Sequence, residues 1–161
     1  MQSVEELLTV WRRELPDLNT EAFAPLLRAI HLASVVGTFQ RRVLEPFEIS
    51  PSEYEVLAAL RRAGSPYRLN PKALTGRLDR SSGGMAKLLK RLEVGGYVQR
   101  VPDPEDGRGS LVVLSRRGLE LQARILAAFV AAAENRLGEL DKDRLAEVDD
   151  AMRRLSEAFE R

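Results

Sequence analysis

The chain contains no cysteine, which removes disulfides, thiolate catalysis, iron–sulfur ligation and thiol-based redox sensing together. Histidine is nearly absent. His31 is the only imidazole, too little for a zinc site of ordinary composition or for more than a minimal serine–histidine triad. Long hydrophobic runs are missing: the longest, Ile125 to Ala133, has nine residues, whereas a bilayer needs about 20. The opening Met1-Gln-Ser-Val-Glu-Glu is acidic and lacks the basic start of a signal peptide, so a cytoplasmic protein without a membrane partner is expected. Gly83-Gly84 and Gly95-Gly96 do not have the spacing of a phosphate-cradling loop. Asp149-Asp150 reads as the solvated face of a terminal helix. No catalytic residue, metal or cofactor is expected, and the chain is not read as an enzyme.

What is present is a 161-residue chain, 44% hydrophobic and 30% charged, enough for a folded domain with helical arms. The net charge of +1 hides a strong asymmetry. Residues 1–60 sum to −4, residues 61–101 to +8 and residues 102–161 to −3. A basic block between acidic ends suits a nucleic-acid reader held in a neutral scaffold.

Apolar spacing predicts a short helix over Val4–Leu15, then a longer one over Glu21–Leu44 with apolar residues on two faces, implying burial on two sides. Ser50-Pro51 with Glu53 reads as a capped helix start for residues 51–63. Tyr67-Arg68-Leu69 reads as extended. Asn70-Pro71 starts a short helix through Leu78, and Ser81 or Ser82 starts another that ends at Gly95-Gly96. That spacing is helix-turn-helix. A hairpin follows, Tyr97–Val101 and Leu111–Leu114, with Asp106-Gly107 as its turn pair. A long helix from Ser115 or Arg116 to about Leu140 comes next. A last helix from Asp143 carries Leu145, Val148, Met152, Leu155 and Phe159 as a coiled-coil-like seam.

In the helix at 81–95, Met85, Leu88 or Leu89, and Leu92 set the apolar side. Ser82, Gly83, Ala86, Lys87 and Lys90 lie opposite, with Arg91 beside them. Small residues at the start let a backbone approach a major groove closely, and lysines one turn apart can meet base edges or phosphates. Two adjacent glycines cost about 1 kcal/mol each against alanine and need a reason. In the loop 102–110, Arg108 stands near the ribbon tip, where it can enter a minor groove, and Asp106 can hold its guanidinium. The DNA-binding candidates are therefore Ser81, Ser82, Gly83, Lys87, Lys90, Arg91, Asp106 and Arg108. Arg61-Arg62 and Arg116-Arg117 fit phosphate contacts or plain solvated surface equally.

The stretch from Tyr67 to Leu114, with its Leu-Glu-x-x-Gly-Tyr-Val-x-Arg run and Asp-x-Arg-Gly wing, resembles the MarR (multiple antibiotic resistance regulator) family of winged-helix transcription factors. The resemblance spans roughly residues 21–160. It implies a mainly α fold with a small β-hairpin wing: a winged helix-turn-helix at 46–115 between dimerisation helices at 1–45 and 116–161. It also implies a homodimer on palindromic double-stranded operator DNA, usually a repressor relieved by a small-molecule effector. The Gly-Ser-Pro-Tyr-Arg-Leu-Asn-Pro segment and the extra helix bearing Trp11 are similar to the urate- and aconitate-responsive branch. There, Trp11 and Arg100 match the pocket pattern, Glu55 replaces its aspartate and Leu88 one of its arginines. With His31, the ligand-binding candidates are Trp11, His31, Glu55 and Arg100. Trp11 and His31 also fit plain packing roles. An alternative function is a winged-helix adaptor whose basic face binds an acidic protein without sequence-specific DNA binding.

Overall fold

A computed structural model describes residues 3–17, 19–104, 106 and 109–160. Its contacts divide the chain into two compact units, Met1–Pro51 and Ser52–Arg161.

In the first unit, α1 (Val4–Glu14) starts on a capping box. The Ser3 hydroxyl accepts from the Glu6 amide, and the Glu6 carboxylate accepts from the Ser3 amide. Val4 and Leu8 are buried. The helix is tied to α2 (Phe23–Leu44) by Arg28–Glu5 at 2.8 Å and by Arg12 Nε donating to the buried Thr20 hydroxyl at 3.1 Å. The Glu5 carboxyl lies below its ordinary range, held there first by its backbone amide and then by Arg28. α2 begins two residues later than the apolar pattern predicts, because a turn at residues 21–22 precedes it. Its two-sided burial is not met within the chain: Ile30 is 59% exposed, and Val35 and Val36 about half. Trp11 has 42% of its surface open in the single chain.

In the second unit, α3 (Pro51–Arg62) buries Val56, Leu57 and Leu60. A short strand β1 (Arg68–Leu69) leads to α4 (Pro71–Arg77), where Asn70 caps by accepting from the Ala73 amide at 2.7 Å. Asp79, in the left-handed region at φ 46°, turns the chain into α5 (Ser82–Val94). Ser81 is the residue that caps it, accepting from Gly84 at 3.2 Å. Strands β2 (Val98–Pro102) and β3 (Ser110–Leu114) form the hairpin, and β1 adds to its far side in the antiparallel order β1-β3-β2. The register pairs Arg100 with Val112 and Arg68 with Val113. α6 (Arg116–Leu137) ends at Gly138, earlier than the predicted Leu140, and α7 (Lys142–Phe159) starts on an Asp141 cap. α7 has no buried residue, and Phe159 in its seam is 65% exposed. The fold is mainly α with a small antiparallel sheet, the winged helix-turn-helix that the sequence predicts. No helix among the described residues is long and apolar enough to cross a membrane.

Candidate nucleic-acid interface

The core of the helix-turn-helix is set by alternation along α5. Met85, Leu89 and Leu92 are buried, while Ser82, Gly83, Ala86, Lys87, Lys90 and Arg91 are exposed. α5 packs against α4 and β2, so its polar side has no cover within the unit. The two glycines differ. A side chain at Gly84 would meet the capping Ser81 hydroxyl at 3.1 Å, whereas at Gly83 it would meet nothing within 4 Å. The fold itself therefore gives no reason for a glycine at 83.

Ion pairing sorts the basic block. Arg91 donates to Glu53 of α3 at 2.9 Å, and the Glu53 side chain is only 10% exposed. Arg80, in the turn before α5, pairs with Glu55 at 2.9 Å. Arg100 on β2 pairs with Glu93 of α5 at 2.6 Å. Three cations of the +8 segment thus brace α5 against α3 and the sheet. Lys72, Arg77, Lys87 and Lys90 are exposed and form no ion pair among the described residues. Lys72 and Arg77 on α4 escaped the sequence reading, which had no signal to separate internally paired cations from unpaired ones.

In the wing, the Gly109 amide donates to the Asp106 carbonyl at 2.8 Å, and the Asp103 amide donates to the Gly109 carbonyl at 3.1 Å. The Asp106 carboxylate stands 2.9 Å from where a side chain at Gly109 would begin. Glu105, Gly107 and Arg108 lie outside the described residues, and with them the expected Asp106–Arg108 clasp and the Asp106-Gly107 turn pair.

Of the ligand candidates, Trp11 and His31 lie in the first unit and Glu55 and Arg100 in the second. Within the first unit, His31 acts on Glu5, six residues before Trp11 on α1, about 9 Å along the axis. Within the second, Glu55 and Arg100 occupy separate ion pairs. Arg100 lines a shallow cleft of about 370 Å³ with Lys72, Ser82 and Ala86, beside the reader helix.

A two-helix reader with a capped second helix, a β-hairpin behind it and an unpaired cationic face defines a winged helix-turn-helix protein. Residues 47–109 match the family model described as MarR family. The chain is 28% identical over 127 residues to the HTH-type transcriptional regulator PecS of Dickeya dadantii, covering 79% of this chain and 76% of the relative. Its fold superposes on the crystal structure of wild-type MarR in its apo form from E. coli with a TM-score of 0.69. That alignment is 26% identical and covers 81% of this chain and 96% of the other. A mutant MarR from E. coli complexed with operator DNA shares the fold at a TM-score of 0.67 and 24% identity, covering 86% and 99%. The chain is thus similar to MarR family proteins over its helix-turn-helix and hairpin and shares their winged-helix fold.

Proposed function

We propose that this protein is a transcriptional regulator, a repressor, that binds palindromic operator DNA in the cytoplasm as a homodimer, with α5 in the major groove and the wing at 102–110 against the minor groove. In this reading residues 46–115 read DNA, and residues 1–45 and 116–161 dimerise. The carrying observation is the outer face of α5. Lys87 and Lys90 project without ion-pair partners from a helix whose start is kept small by Ser82 and Gly83. Ammonium groups one turn apart meet phosphates or base edges, and a bare backbone at position 83 admits a phosphate closely. A protein of the same fold has been solved on operator DNA. Footprinting of random-sequence selections tests the reading: a protected pseudo-palindrome with half-sites about one helical turn apart is expected. Salt-sensitive binding without sequence preference would leave only an acidic-partner adaptor.

Gly83→Ala separates fold from function. It should stabilise the protein by up to about 1 kcal/mol, since the fold has room for the methyl, and should weaken operator binding. Thermal unfolding and gel shifts on one preparation check both. A stabilised variant with normal affinity would remove close backbone approach from the reading.

Dimerisation follows from uncovered apolar faces. Ile30, Val35 and Val36 on α2 and Val148, Met152 and Phe159 on α7 are exposed in the single chain; the α7 residues have coiled-coil spacing, and a second copy covers both faces. Removing residues 139–161 should give monomers or aggregates in sedimentation, with operator affinity falling as the half-sites lose linkage. A small-molecule effector completes the reading, with Trp11, His31, Glu55 and Arg100 as its candidate contacts; Glu55 and Arg100 would exchange their present ion-pair partners for it. A gel-shift screen of aromatic acids, purines and tricarboxylates, repeated on Trp11→Ala and Arg100→Ala, tests this part.

A further inference from the structure

The link between α5 and β2, residues 95–97, is held from both sides. On the α5 side, the Tyr97 amide donates to the Leu92 carbonyl and the Gly96 amide to the Glu93 carbonyl, each at 2.9 Å. On the α6 side, the Ser115 amide donates to the Tyr97 carbonyl at 3.0 Å. One residue, Tyr97, therefore splices the last turn of α5 to the start of α6.

The Ser115 hydroxyl adds what a helix cap does not require. Capping needs only an acceptor, and Ser81 caps α5 by accepting alone. Ser115 accepts from the Gly118 amide at 2.9 Å and also donates across to the Gly96 carbonyl at 2.6 Å, with the Tyr97 carbonyl 3.1 Å away. A carbon added at Gly118 would stand 2.0 Å from the Tyr97 carbonyl oxygen. The two helices thus meet through backbone, with no side chain between them to yield.

Small motions at this splice become large at the far end of α5. The helix has 13 residues, so its start lies about 20 Å from the splice. A swing of about 10° displaces Ser82 and Gly83 by about 3.4 Å, one base-pair step. In the other direction the splice leads into α6, part of the dimerisation arm in the function proposed above.

We infer that Ser115 is a positioning residue for operator reading. Its hydroxyl fixes the angle between α5 and α6, and so sets the separation of the two reader helices and the half-site spacings that the dimer accepts. This role, which rests on the dimeric operator reading proposed above, needs no contact between Ser115 and DNA.

The chain has no cysteine, so Gly76→Cys places one spin label per protomer on α4, which packs against α5. Added atoms at Gly76 meet nothing within 4 Å. Double electron–electron resonance then reads the label-to-label distance across the dimer without DNA. The parent and Ser115→Thr, which keeps acceptor and donor, should each give one narrow peak. Ser115→Ala should broaden it by about 3 Å or more, the displacement of a swing of about 10°. Ser115→Asp separates the two functions, because a carboxylate still caps α6 but has no proton for the Gly96 carbonyl. It should broaden the peak as alanine does, with the parent's helix content in circular dichroism. Gel shifts on the selected operator with one base pair added give a second readout. The parent should lose about a hundredfold there, as simultaneous engagement of both half-sites fails, and the alanine and aspartate variants about tenfold or less. A merely destabilised unit would weaken both operators alike. A narrow peak for Ser115→Ala or Ser115→Asp, or a spacing penalty equal to the parent's, would overturn the role and leave the DNA reading in place. A parent without dipolar coupling or without a spacing preference would overturn the role together with the dimeric reading.

Discussion

Gly118→Ala is expected to cost about 3 kcal/mol or more of stability, at the upper end of overpacking effects. A methyl at this position would begin 2.0 Å from the Tyr97 carbonyl oxygen and 2.9 Å from its carbon, closer than any relaxation of a flexible side chain can relieve. The obstacle is backbone, and that backbone is fixed from several sides. The Ser115 hydroxyl accepts from the Gly118 amide at 2.9 Å and donates towards the Gly96 carbonyl at 2.6 Å. The Ser115 amide donates to the Tyr97 carbonyl at 3.0 Å. Arg117 lies over the Tyr97 ring at 5.0 Å. The first turn of α6 is thus locked against the link between α5 and β2, so forcing it outwards shifts the hairpin relative to the reader helix. Urea unfolding should show the loss, and Gly76→Ala, where added atoms meet nothing within 4 Å, is the matched control. A Gly118→Ala protein as stable as the control would mean that this junction yields.

The Gly118 junction marks the boundary of what the sequence discloses. The helix-turn-helix was legible because its signals are local: Asn70-Pro71 and Ser81 are caps, and Met85, Leu89 and Leu92 recur at helical spacing. The hairpin was legible for the same reason, from β-rich pairs around a proline- and glycine-bearing loop. The third strand, Arg68–Leu69, could be read only as extended, since its pairing with Val112 and Val113 joins residues more than 40 positions apart. Ion pairs are equally non-local. Arg91 reads as a DNA contact by its place on the helix, yet it reaches across 38 positions to a nearly buried Glu53. Glu55 and Arg100 read as neighbours in one ligand cluster, and folding gives each its own partner. Spacing along one helix reports a face; it does not report which charges across the fold have already been neutralised.

That sorting of charges makes the Lys87→Ala/Lys90→Ala double variant the sharpest test of the reader, and its expected effect is a loss of most operator affinity with the fold intact. Neither lysine is buried or ion-paired among the described residues, so stability should stay within about 0.5 kcal/mol of the parent. If both ammoniums neutralise phosphates, the slope of log affinity against log salt should flatten by about 2, because each contact released close to one counterion. If one meets a base edge, the double variant should also lose about 1–3 kcal/mol of preference at one operator position. Arg91→Ala should behave differently. Its guanidinium already serves Glu53, a carboxylate with 10% of its side chain exposed, and removing it strands that charge. Stability should therefore fall, and the salt slope should change less than for either lysine. Gel shifts at four salt concentrations, with thermal unfolding of the same samples, distinguish the outcomes. Equal slopes for parent and double variant would take α5 out of the groove. A stable Arg91→Ala protein with a flattened slope would instead make Arg91 a phosphate contact.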